Sequence, residues 1–525
     1  MLARFKPLAM TPVTAWRLVR IALLVGFVFL AGRFWHPYYG FTYFLQMDQR
    51  MGAATVPVLR DGPLYLHHER GSYDGAYYVQ VATSPGLRDP ALATTLDDAG
   101  YRARRILLGA VAWCLGGGEP VLVAHCYAAL NVVLWFGLAA LLWRVFPAAD
   151  WRAVLAWAGL LFGAGVLSTV RCALTDLAAL LLLAGAVMLA ERGRTGWSAG
   201  LLGLAGLARE TSVLGAVALL PGTRGQPGLS WKTTGWLALA VTPILFWVIY
   251  VRQVFGASGA GLRNFNWWPL AGWFGHWREL TAADTLANDP WLIVRCGFEH
   301  IALLVQAAYL LSHPKKDCPW WRTGLVYVAL MFCLGGAVWE GLPNAATRVL
   351  LPLTLAFNVR AVRNRAFFLW LLLGNLSVLT GVQALWFGPA RPHDLPAQST
   401  WAHRQALISD DRWYVADENW KRRWAWCGQD GGLTVLVWPK VARVQLQLEV
   451  RGVTARDMQV SNQGRVVWRG TIGTQREWIT LPPLPADQGK VLLELHTDSP
   501  TVTTGEGVMA RELGLSCSGV RSLKE

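Results

Sequence analysis

Charge is scarce in this sequence. Only 15% of its 525 residues are Asp, Glu, Lys or Arg, whereas an ordinary soluble domain carries about a quarter. Hydrophobic residues make up 54% of the chain, and its mean hydropathy is +0.33. These values exclude an ordinary soluble globular protein. Apolar runs of about 18 residues or more recur along the chain, and they indicate an α-helical polytopic membrane protein.

Cysteines at metal-ligand spacing are also missing. The eight cysteines are scattered, so the sequence provides no cysteine-based metal motif. Cys427 and Cys517 are the two in the polar C-terminal part, where they form either a disulfide or two ordinary small residues. The net charge of +15 lies mostly in short loops beside apolar runs. Membrane topology explains that excess better than a nucleic-acid partner does.

The apolar runs predict about nine membrane crossings, supported by 29 tryptophans that favour the membrane boundary. The first run follows basic residues that include Arg4 and Lys6, and it is either a retained anchor or a signal peptide. Both interpretations send the large loop 35–105 to the outer side. The runs lie at 16–34, 120–143, 153–170, 174–190, 234–254, 291–311, 322–340, 346–359 and 366–388.

The run at 197–220 is long enough to cross the membrane, yet it carries Arg209-Glu210 at its middle. If it dips in and returns as a re-entrant pair, the inner loops hold 16 Lys and Arg against three acids. This arrangement satisfies the positive-inside rule, and a full crossing does not. We therefore expect a cytoplasmic N-terminus, a C-terminal part outside, and an Arg-Glu turn that lines a cavity.

The C-terminal part changes character. Apolar and polar residues alternate at 444–450, 465–472, 477–481 and 491–497, with turn signals between them. This pattern predicts an all-β sandwich at 391–525 after a transmembrane domain at 1–390. The β domain serves either for packing and stability or as a carbohydrate-binding module, with Trp424, Trp426 and Trp468 as stacking faces.

Charged residues congregate at the outer boundary of the predicted spans. Arginine outnumbers lysine among them, as suits a bound phosphate or diphosphate. They form either a polar cavity or local ion pairs that hold helices together, such as Arg295–Glu299 on one helical face. The set comprises Arg102, Arg105, Arg171, Asp176, Arg209, Glu210, Arg295, Glu299, His300, Glu340 and Arg348.

Asp74 is the leading candidate for an acid–base residue. It lies in the first outer loop, in the stretch YDGAYYVQVA at 73–82, and an ionised carboxylate there can accept a proton from an acceptor hydroxyl. The alternative is a turn residue, since Asp-Gly is a common turn dipeptide. Other candidate acids are Asp48, Asp97 and Asp98, and the candidate aromatic contacts for substrate are Tyr73, Tyr77, Tyr78, Trp267 and Trp268.

These motifs resemble the GT-C class of membrane glycosyltransferases over roughly residues 15–390. The resemblance rests on YDGAYYVQVA (73–82), YRARRILLGAVAW (101–113), LTDLAALLLLAG (174–185) and LARET (207–211). It is similar in particular to bacterial membrane proteins of unassigned chemistry, through the segments NFNWWPL (264–270) and ATRVLLPLTLAFN (346–358). A multi-pass protein of a bacterial inner membrane with a periplasmic C-terminal domain is thereby implied.

The resemblance implies inverting transfer of a sugar from a polyprenyl-phosphate donor to a glycan, lipid or protein acceptor. Asp74 matches the catalytic base, and Arg209, Arg348, Arg102 and Arg105 match the residues that hold the donor phosphate. Many members of the class have a contiguous acidic pair in this loop, but here Gly75 follows Asp74, so a divalent metal cofactor stays open. The competing functions are a flippase of lipid-linked saccharides and an inactive envelope scaffold.

Overall fold

The computed structural model describes residues 12–60, 62–67, 72–147, 150–221, 230–341, 344–389, 391, 393–400, 403–419, 422–504 and 511–523. Arg4 and Lys6, which support the predicted sidedness, lie outside these residues, and so does residue 390 at the predicted domain boundary. The chain divides into a larger unit, Met1–Phe34 with Phe41–Gly388, and a smaller unit, Trp35–Gly40 with Pro389–Glu525.

The larger unit is helical. Its first helices are α1 (Pro12–Gly32), α2 (Pro57–Arg60), α3 (Asp74–Thr83), α4 (Leu92–Thr95), α5 (Ala99–Arg102), α6 (Leu107–Leu115), α7 (Pro120–Val145), α8 (Trp151–Leu161), α9 (Ala164–Arg171), α10 (Asp176–Glu191) and α11 (Thr195–Ala208). The later helices are α12 (Trp231–Phe255), α13 (Ala271–Leu280), α14 (Ala283–Asn288), α15 (Pro290–Ser312), α16 (Pro319–Phe332), α17 (Gly336–Trp339), α18 (Ala345–Val349), α19 (Leu351–Arg363), α20 (Phe368–Gly374) and α21 (Val378–Trp386). The 3₁₀ helices are Thr42–Leu45, Gln49–Ala54, Glu210–Leu219 and Ala260–Asn264.

Six helical segments of the described chain are long and apolar enough to cross a bilayer, as expected of a multi-pass membrane protein. In α1 and α12 only 11% and 17% of the apolar window is buried, so these two helices present most of their surface outward. The other predicted runs, at 174–190, 322–340 and 346–359, overlap the shorter helices α10, α16 and α19, of 16, 14 and 13 residues. The six segments are Pro12–Gly32, Pro120–Val145, Trp151–Arg171, Trp231–Phe255, Pro290–Ser312 and Phe368–Trp386.

Polar residues placed just before the apolar runs set where the long helices begin. The Glu119 carboxylate accepts from the backbone N–H groups of Val121 and Leu122 at the start of α7. Ser230 caps α12 in the same way, accepting from the N–H of Thr233. Such caps satisfy donors that have no partner inside the helix. The caps therefore fix helix starts that hydropathy alone leaves uncertain.

The segment at 197–220 folds back on itself at Arg209-Glu210. Helix α11 ends at Ala208, Arg209 is extended (φ −155°, ψ 124°), and the 3₁₀ helix begins at Glu210. The two arms pack closely, since a Cβ on Gly206 would lie 3.1 Å from Val213 and one on Gly215 would lie 3.0 Å from Leu202. The arrangement is a helical hairpin with the charged pair at its tip.

The smaller unit is β-rich and antiparallel. Its strands are β1 (Asp394–Leu395), β2 (Arg404–Ser409), β3 (Asp417–Asn419), β4 (Arg422–Cys427), β5 (Asp430–Trp438), β6 (Arg443–Gly452), β7 (Arg456–Asn462), β8 (Arg465–Ile472), β9 (Glu477–Thr480), β10 (Leu484–Pro485), β11 (Lys490–His496), β12 (Val502–Thr504), β13 (Arg511–Leu513) and β14 (Leu515–Leu523). One six-stranded sheet has the order β1-β2-β5-β11-β7-β8, and another contains β10-β6-β14-β4-β3 with β9 beside β6. The helical part and the C-terminal β-rich part are thus both confirmed.

Side chains from both six-stranded sheets share one hydrophobic core. Leu446 and Leu448 of β6 and Leu493 and Leu495 of β11 are buried within it. Burial alternates along β6 and β11, which is the period-two pattern read from the sequence.

The structure gives the surroundings of the three tryptophans and two cysteines singled out in this unit. Trp424 and Trp426 have the Arg451 guanidinium over their rings, at 5.9 and 4.7 Å from the centroids, and Trp468 packs against the core. Cys427 and Cys517 are buried and free rather than joined in a disulfide. Arginine therefore covers one face of each β4 tryptophan that the carbohydrate-binding hypothesis would use.

Candidate functional site

Asp74 is the first residue of α3. Tyr73, just before it, is extended (φ −120°, ψ 174°), so the Asp74-Gly75 pair starts a helix and is not a turn between strands. A carboxylate in the first helical turn interacts favourably with the helix dipole. Gly75 allows a close approach, because a Cβ there would lie 2.3 Å from the carbonyl oxygen of Cys172.

We expect Gly75→Ala to destabilise the protein and to displace Asp74. A methyl group cannot occupy the space beside the Cys172 carbonyl, and overpacking of this kind costs about 1–3 kcal/mol, more than the better helix propensity of alanine returns. Denaturant titration in detergent measures the free energy of unfolding. Gly86→Ala is the matched control, since the nearest atom to its Cβ is 3.8 Å away; equal stability of the two variants would contradict the packing argument.

Arg102, the last residue of α5, bridges two carboxylates. Its Nη1 lies 2.7 Å from Oδ1 of Asp74, and its Nη2 lies 2.7 Å from Oδ2 of Asp97. The guanidinium also stands over the Tyr77 ring at 4.8 Å from the centroid. Burial raises the pKa of Asp74, but Arg102, Arg348 and Arg105 outweigh burial and hold that pKa below its ordinary value of 3.8. Asp74 is therefore ionised at physiological pH.

Arg105 connects the first loop to the hairpin tip. Its Nε donates to Oε2 of Glu210 at 3.1 Å. Its two terminal nitrogens donate to the hydroxyl oxygens of Tyr78 at 2.5 Å and Tyr101 at 2.9 Å. Each of the three guanidinium nitrogens thus donates to a protein group, which fixes Arg105 in place.

Asp176, at the start of α10, serves two arginines. It pairs with Arg209 at the hairpin tip, and its Oδ2 lies 3.6 Å from Nη1 of Arg348. Arg348 also donates from Nη2 to the Tyr73 hydroxyl at 2.6 Å. The Asp176 side chain is only 2% exposed. Residues from four separate parts of the chain therefore meet around Tyr73 and Asp176.

These groups line a cavity of about 360 Å³, which we call the arginine cavity. It has five arginines in its wall against the carboxylates of Asp74 and Glu210. Asp97 and Asp176 pair with the same arginines, so within the described part of the chain five positive charges meet four negative ones. A fixed positive excess in a partly enclosed space favours an anion. The arginines are Arg102, Arg104, Arg105, Arg209 and Arg348.

A second cavity of about 550 Å³ adjoins the first, and Tyr73 lines both. Arg171, Arg295 and Glu299 lie in its wall. Glu299 is buried, and the Asn344 amide, oriented with its nitrogen towards Glu299, donates to it at 2.6 Å. The neighbouring cavity is therefore polar and large enough for a ring-sized ligand.

No protein-family model matches the chain, and no curated protein matches it.

Several members of the local ion pairs considered from the sequence contact other groups instead. Arg171 stands over the Tyr43 ring at 4.5 Å from the centroid, while Asp176 pairs with Arg209 and Arg348 as described. Arg295 donates to Oδ2 of Asp289 at 2.5 Å. Glu340 is exposed at the end of α17.

Three other candidate site residues, Asp48, Asp98 and His300, have local structural contacts. Asp48 is buried and accepts from the N–H of Arg50 at 2.7 Å, capping the 3₁₀ helix Gln49–Ala54. Asp98 caps α5 by accepting from the N–H of Tyr101 at 2.8 Å. His300 is buried, with its ring 5.1 Å from Trp339 and 5.3 Å from Trp277, centroid to centroid. None of the three is among the described residues that line the arginine cavity.

Trp267 and Trp268 point away from the site. They are 100% and 78% exposed, and the described linings of the two cavities do not include them. Asn264 and Phe265, from the same aromatic run, line the arginine cavity instead. The cause is local: the chain turns after Phe265, where the Asn266 N–H donates to the carbonyl of Cys333 at 2.9 Å.

Arg104 is a site residue that the sequence reasoning missed. Its Nε donates to the Gly100 carbonyl at 3.1 Å, and among the described residues no carboxylate pairs with it. The run YRARR carried the signal. Because α5 ends at Arg102, the residues after it leave the helical spacing, and Arg104 lines the cavity together with Arg102 and Arg105.

A metal site has no support from ligand geometry in the described part of the chain, where no group of three or more His, Cys, Asp or Glu is placed to hold an ion. Asp74 and Asp97 instead share the Arg102 guanidinium between them.

Proposed function

We propose that this protein is an inverting membrane glycosyltransferase of the GT-C type. It moves a sugar from a polyprenyl-phosphate donor to a glycan, lipid or protein acceptor of the cell envelope. The observation that carries the proposal is the arginine cavity, where an ionised Asp74 stands beside five arginines brought from separate parts of the chain. A phosphate-linked sugar needs both a cationic site for the phosphate and a base for the incoming hydroxyl.

The reaction follows from these two requirements. The acceptor hydroxyl oxygen attacks the anomeric carbon, and the bond from that carbon to the phosphate oxygen breaks. The bond's electron pair leaves with the polyprenyl phosphate, and the hydroxyl proton passes to Asp74. Because Asp74 is a weak base, the proton moves late, when the partly bonded hydroxyl has become acidic. The arginines stabilise the charge that grows on the leaving phosphate.

In this proposal the donor phosphate binds at Arg104. Arg102, Arg105, Arg209 and Arg348 are each paired with a carboxylate, whereas the Arg104 side chain donates to a backbone carbonyl. Arg104 therefore supplies the charge that the phosphate neutralises, and the paired arginines hold its orientation. The second cavity, reached past Tyr73, receives the acceptor.

The proposal includes the orientation of the protein in the membrane. With 16 Lys and Arg and three acids on the inner loops, the positive-inside rule gives a cytoplasmic N-terminus. The arginine cavity then opens on the periplasmic face of a bacterial inner membrane, and the β-rich unit is periplasmic.

The deciding experiment is donor turnover by the purified full-length protein. It is incubated with a panel of polyprenyl-phosphate sugars and an envelope extract as acceptor, and release of free polyprenyl phosphate is followed. Turnover supports the transferase. Transport of lipid-linked saccharide across proteoliposomes without cleavage would replace it with a flippase, and a folded protein with neither activity would indicate a scaffold.

Arg104→Gln is expected to weaken donor binding by about 10- to 100-fold, the range for losing one hydrogen bond to a charged group. Stability should stay unchanged, because no carboxylate among the described residues depends on Arg104. Isothermal titration with a polyprenyl-phosphate sugar measures the effect. Arg263→Gln is the control, an exposed arginine near Asn264 that does not line the cavity; equal weakening in both variants would refute the assignment.

A further inference from the structure

A second cationic site lies at the opposite ends of the helices that build the arginine cavity. A pocket of about 610 Å³, here called the basic pocket, is lined by Glu191 at the end of α10, by Leu219 at the end of the 3₁₀ helix, and by Arg322 on α16. The other ends of the same elements carry Asp176, Glu210 and Leu330, which line the arginine cavity or pair with its arginines. At about 1.5 Å per residue, α10 separates the two sites by roughly 20 Å.

Most charged groups of the basic pocket already have partners. The Glu191 carboxylate accepts from Arg363, and Trp320 Nε1 donates to it at 3.0 Å. Arg322 donates to the carbonyls of Ala218, at 3.2 Å, and Pro221, at 3.3 Å, at the end of the 3₁₀ helix. Arg322 and Arg363 therefore stabilise the fold through these contacts, Arg322 by satisfying carbonyls at a helix end.

Arg360 differs from them. Its side chain lines the basic pocket, Arg360 is only 4% exposed, and its buried Nε has no hydrogen-bond partner among the residues that the structure describes. Among the described residues no carboxylate pairs with it. A buried, unpaired guanidinium is strongly unfavourable, and an anion in the pocket would relieve that penalty. Lys315 stands exposed at the rim of the same pocket and adds a second cation.

We propose that the basic pocket binds a phosphate group, with Arg360 as its main ligand and Lys315 at its rim. Guanidinium donors match phosphate oxygens in a bidentate fork. The phosphate comes either from the headgroup of an anionic lipid in the leaflet facing away from the arginine cavity or from a soluble phosphate compound. The proposal is independent of the transferase reaction, because the described linings of the basic pocket and the arginine cavity share no residue.

The test compares probes on the purified full-length protein in neutral detergent. Native mass spectrometry measures retention of phosphatidylglycerol against phosphatidylcholine, and thermal unfolding measures stabilisation by inorganic phosphate or pyrophosphate. We expect Arg360→Gln to weaken binding of the effective probe by about tenfold or more. The control, Arg365→Gln, is an exposed arginine five residues away that does not line the pocket, and it should bind as the unaltered protein does.

A second pair of variants keeps the test informative if Arg360→Gln does not fold. Lys315→Gln should weaken binding severalfold, while Lys316→Gln, the adjacent exposed lysine outside the lining, should not. Selective retention of phosphatidylglycerol identifies the lipid as the source, and stabilisation by inorganic phosphate alone identifies a soluble ligand. Both support the site. Equal behaviour of pocket and control variants, or no response to any probe, overturns it.

Discussion

Replacing Asp74 with asparagine is expected to lower donor turnover by about 10²- to 10⁴-fold, the contribution typical of a general base. Asparagine keeps the size of the side chain but cannot accept the acceptor's proton. The fold should survive, because Arg102 keeps its contacts with Asp97 at 2.9 and 2.7 Å. The measurement is the initial rate of polyprenyl phosphate release, together with the unfolding midpoint of each variant.

Asp97→Asn is the matched control. Asp74 and Asp97 both pair with Arg102, so each substitution removes one carboxylate from the same guanidinium. If Asp74 acts only by holding Arg102, the two variants should lose similar activity. If it is the base, only Asp74→Asn should lose most of it. Turnover that survives in Asp74→Asn and fails in Asp97→Asn would move the base to Asp97.

The dependence of turnover on pH provides a second test of Asp74 as the base. Since the arginines hold the pKa of Asp74 below 3.8, the carboxylate is ionised throughout the range above that value. Loss of turnover from protonation of Asp74 should therefore begin only as pH falls below about 4. The stabilisation of the fold by the ion pair of Asp74 with Arg102 changes in the same direction. It is fully present above the pKa that Asp74 has in the unfolded chain, and it is lost as pH falls through the lower pKa of Asp74 in the folded protein. An acid limb centred near pH 6 would indicate a different base.

Much of the fold is predictable from single-residue chemistry. Low charge and long apolar runs predict the helical part, and strict alternation predicts β6 and β11. The reversal at Arg209-Glu210 follows from placing a charged pair within an apolar run, where only a polar cavity or protein surroundings make it tolerable. Each of these patterns involves residues close together in the sequence, so the element can be predicted without knowledge of the tertiary packing.

The polar partners of the arginines were not predictable in this way. Arg348 and Tyr73 lie 275 positions apart, and Arg105 and Glu210 lie 105 apart. Sequence spacing offers only nearby candidates, such as Arg295 and Glu299, whereas Arg295 bonds to Asp289 across a helix start. Among the described residues Arg104 is the arginine of this cavity that no carboxylate pairs with, and that outcome depends on all the pairings together. The electrostatic balance of the site is therefore a property of the tertiary structure.

Asp176→Asn is expected to cause the largest loss of stability of any single change at the site. The carboxylate is 2% exposed and faces both Arg209 and Arg348, whose side chains are 12% and 6% exposed. Removing one partner of a buried pair leaves an uncompensated charge, which costs about 3–5 kcal/mol. Denaturant titration in detergent measures the free energy of unfolding. Asp289→Asn, which breaks the more exposed pair with Arg295, should lose no more than about 1 kcal/mol.

A double-mutant cycle separates the charge effect from simple damage to the start of α10. Arg348→Gln removes one of the two cations that Asp176 neutralises, so it should be less harmful in the Asp176→Asn background than in the unaltered protein. A coupling free energy of about 0.5–3 kcal/mol is the range for residues in one charge network. If the two losses simply add, Asp176 stabilises the helix start and does not neutralise the arginines. The positive excess of the cavity would then be larger than five charges against four, and the anion it binds would have to supply the missing compensation.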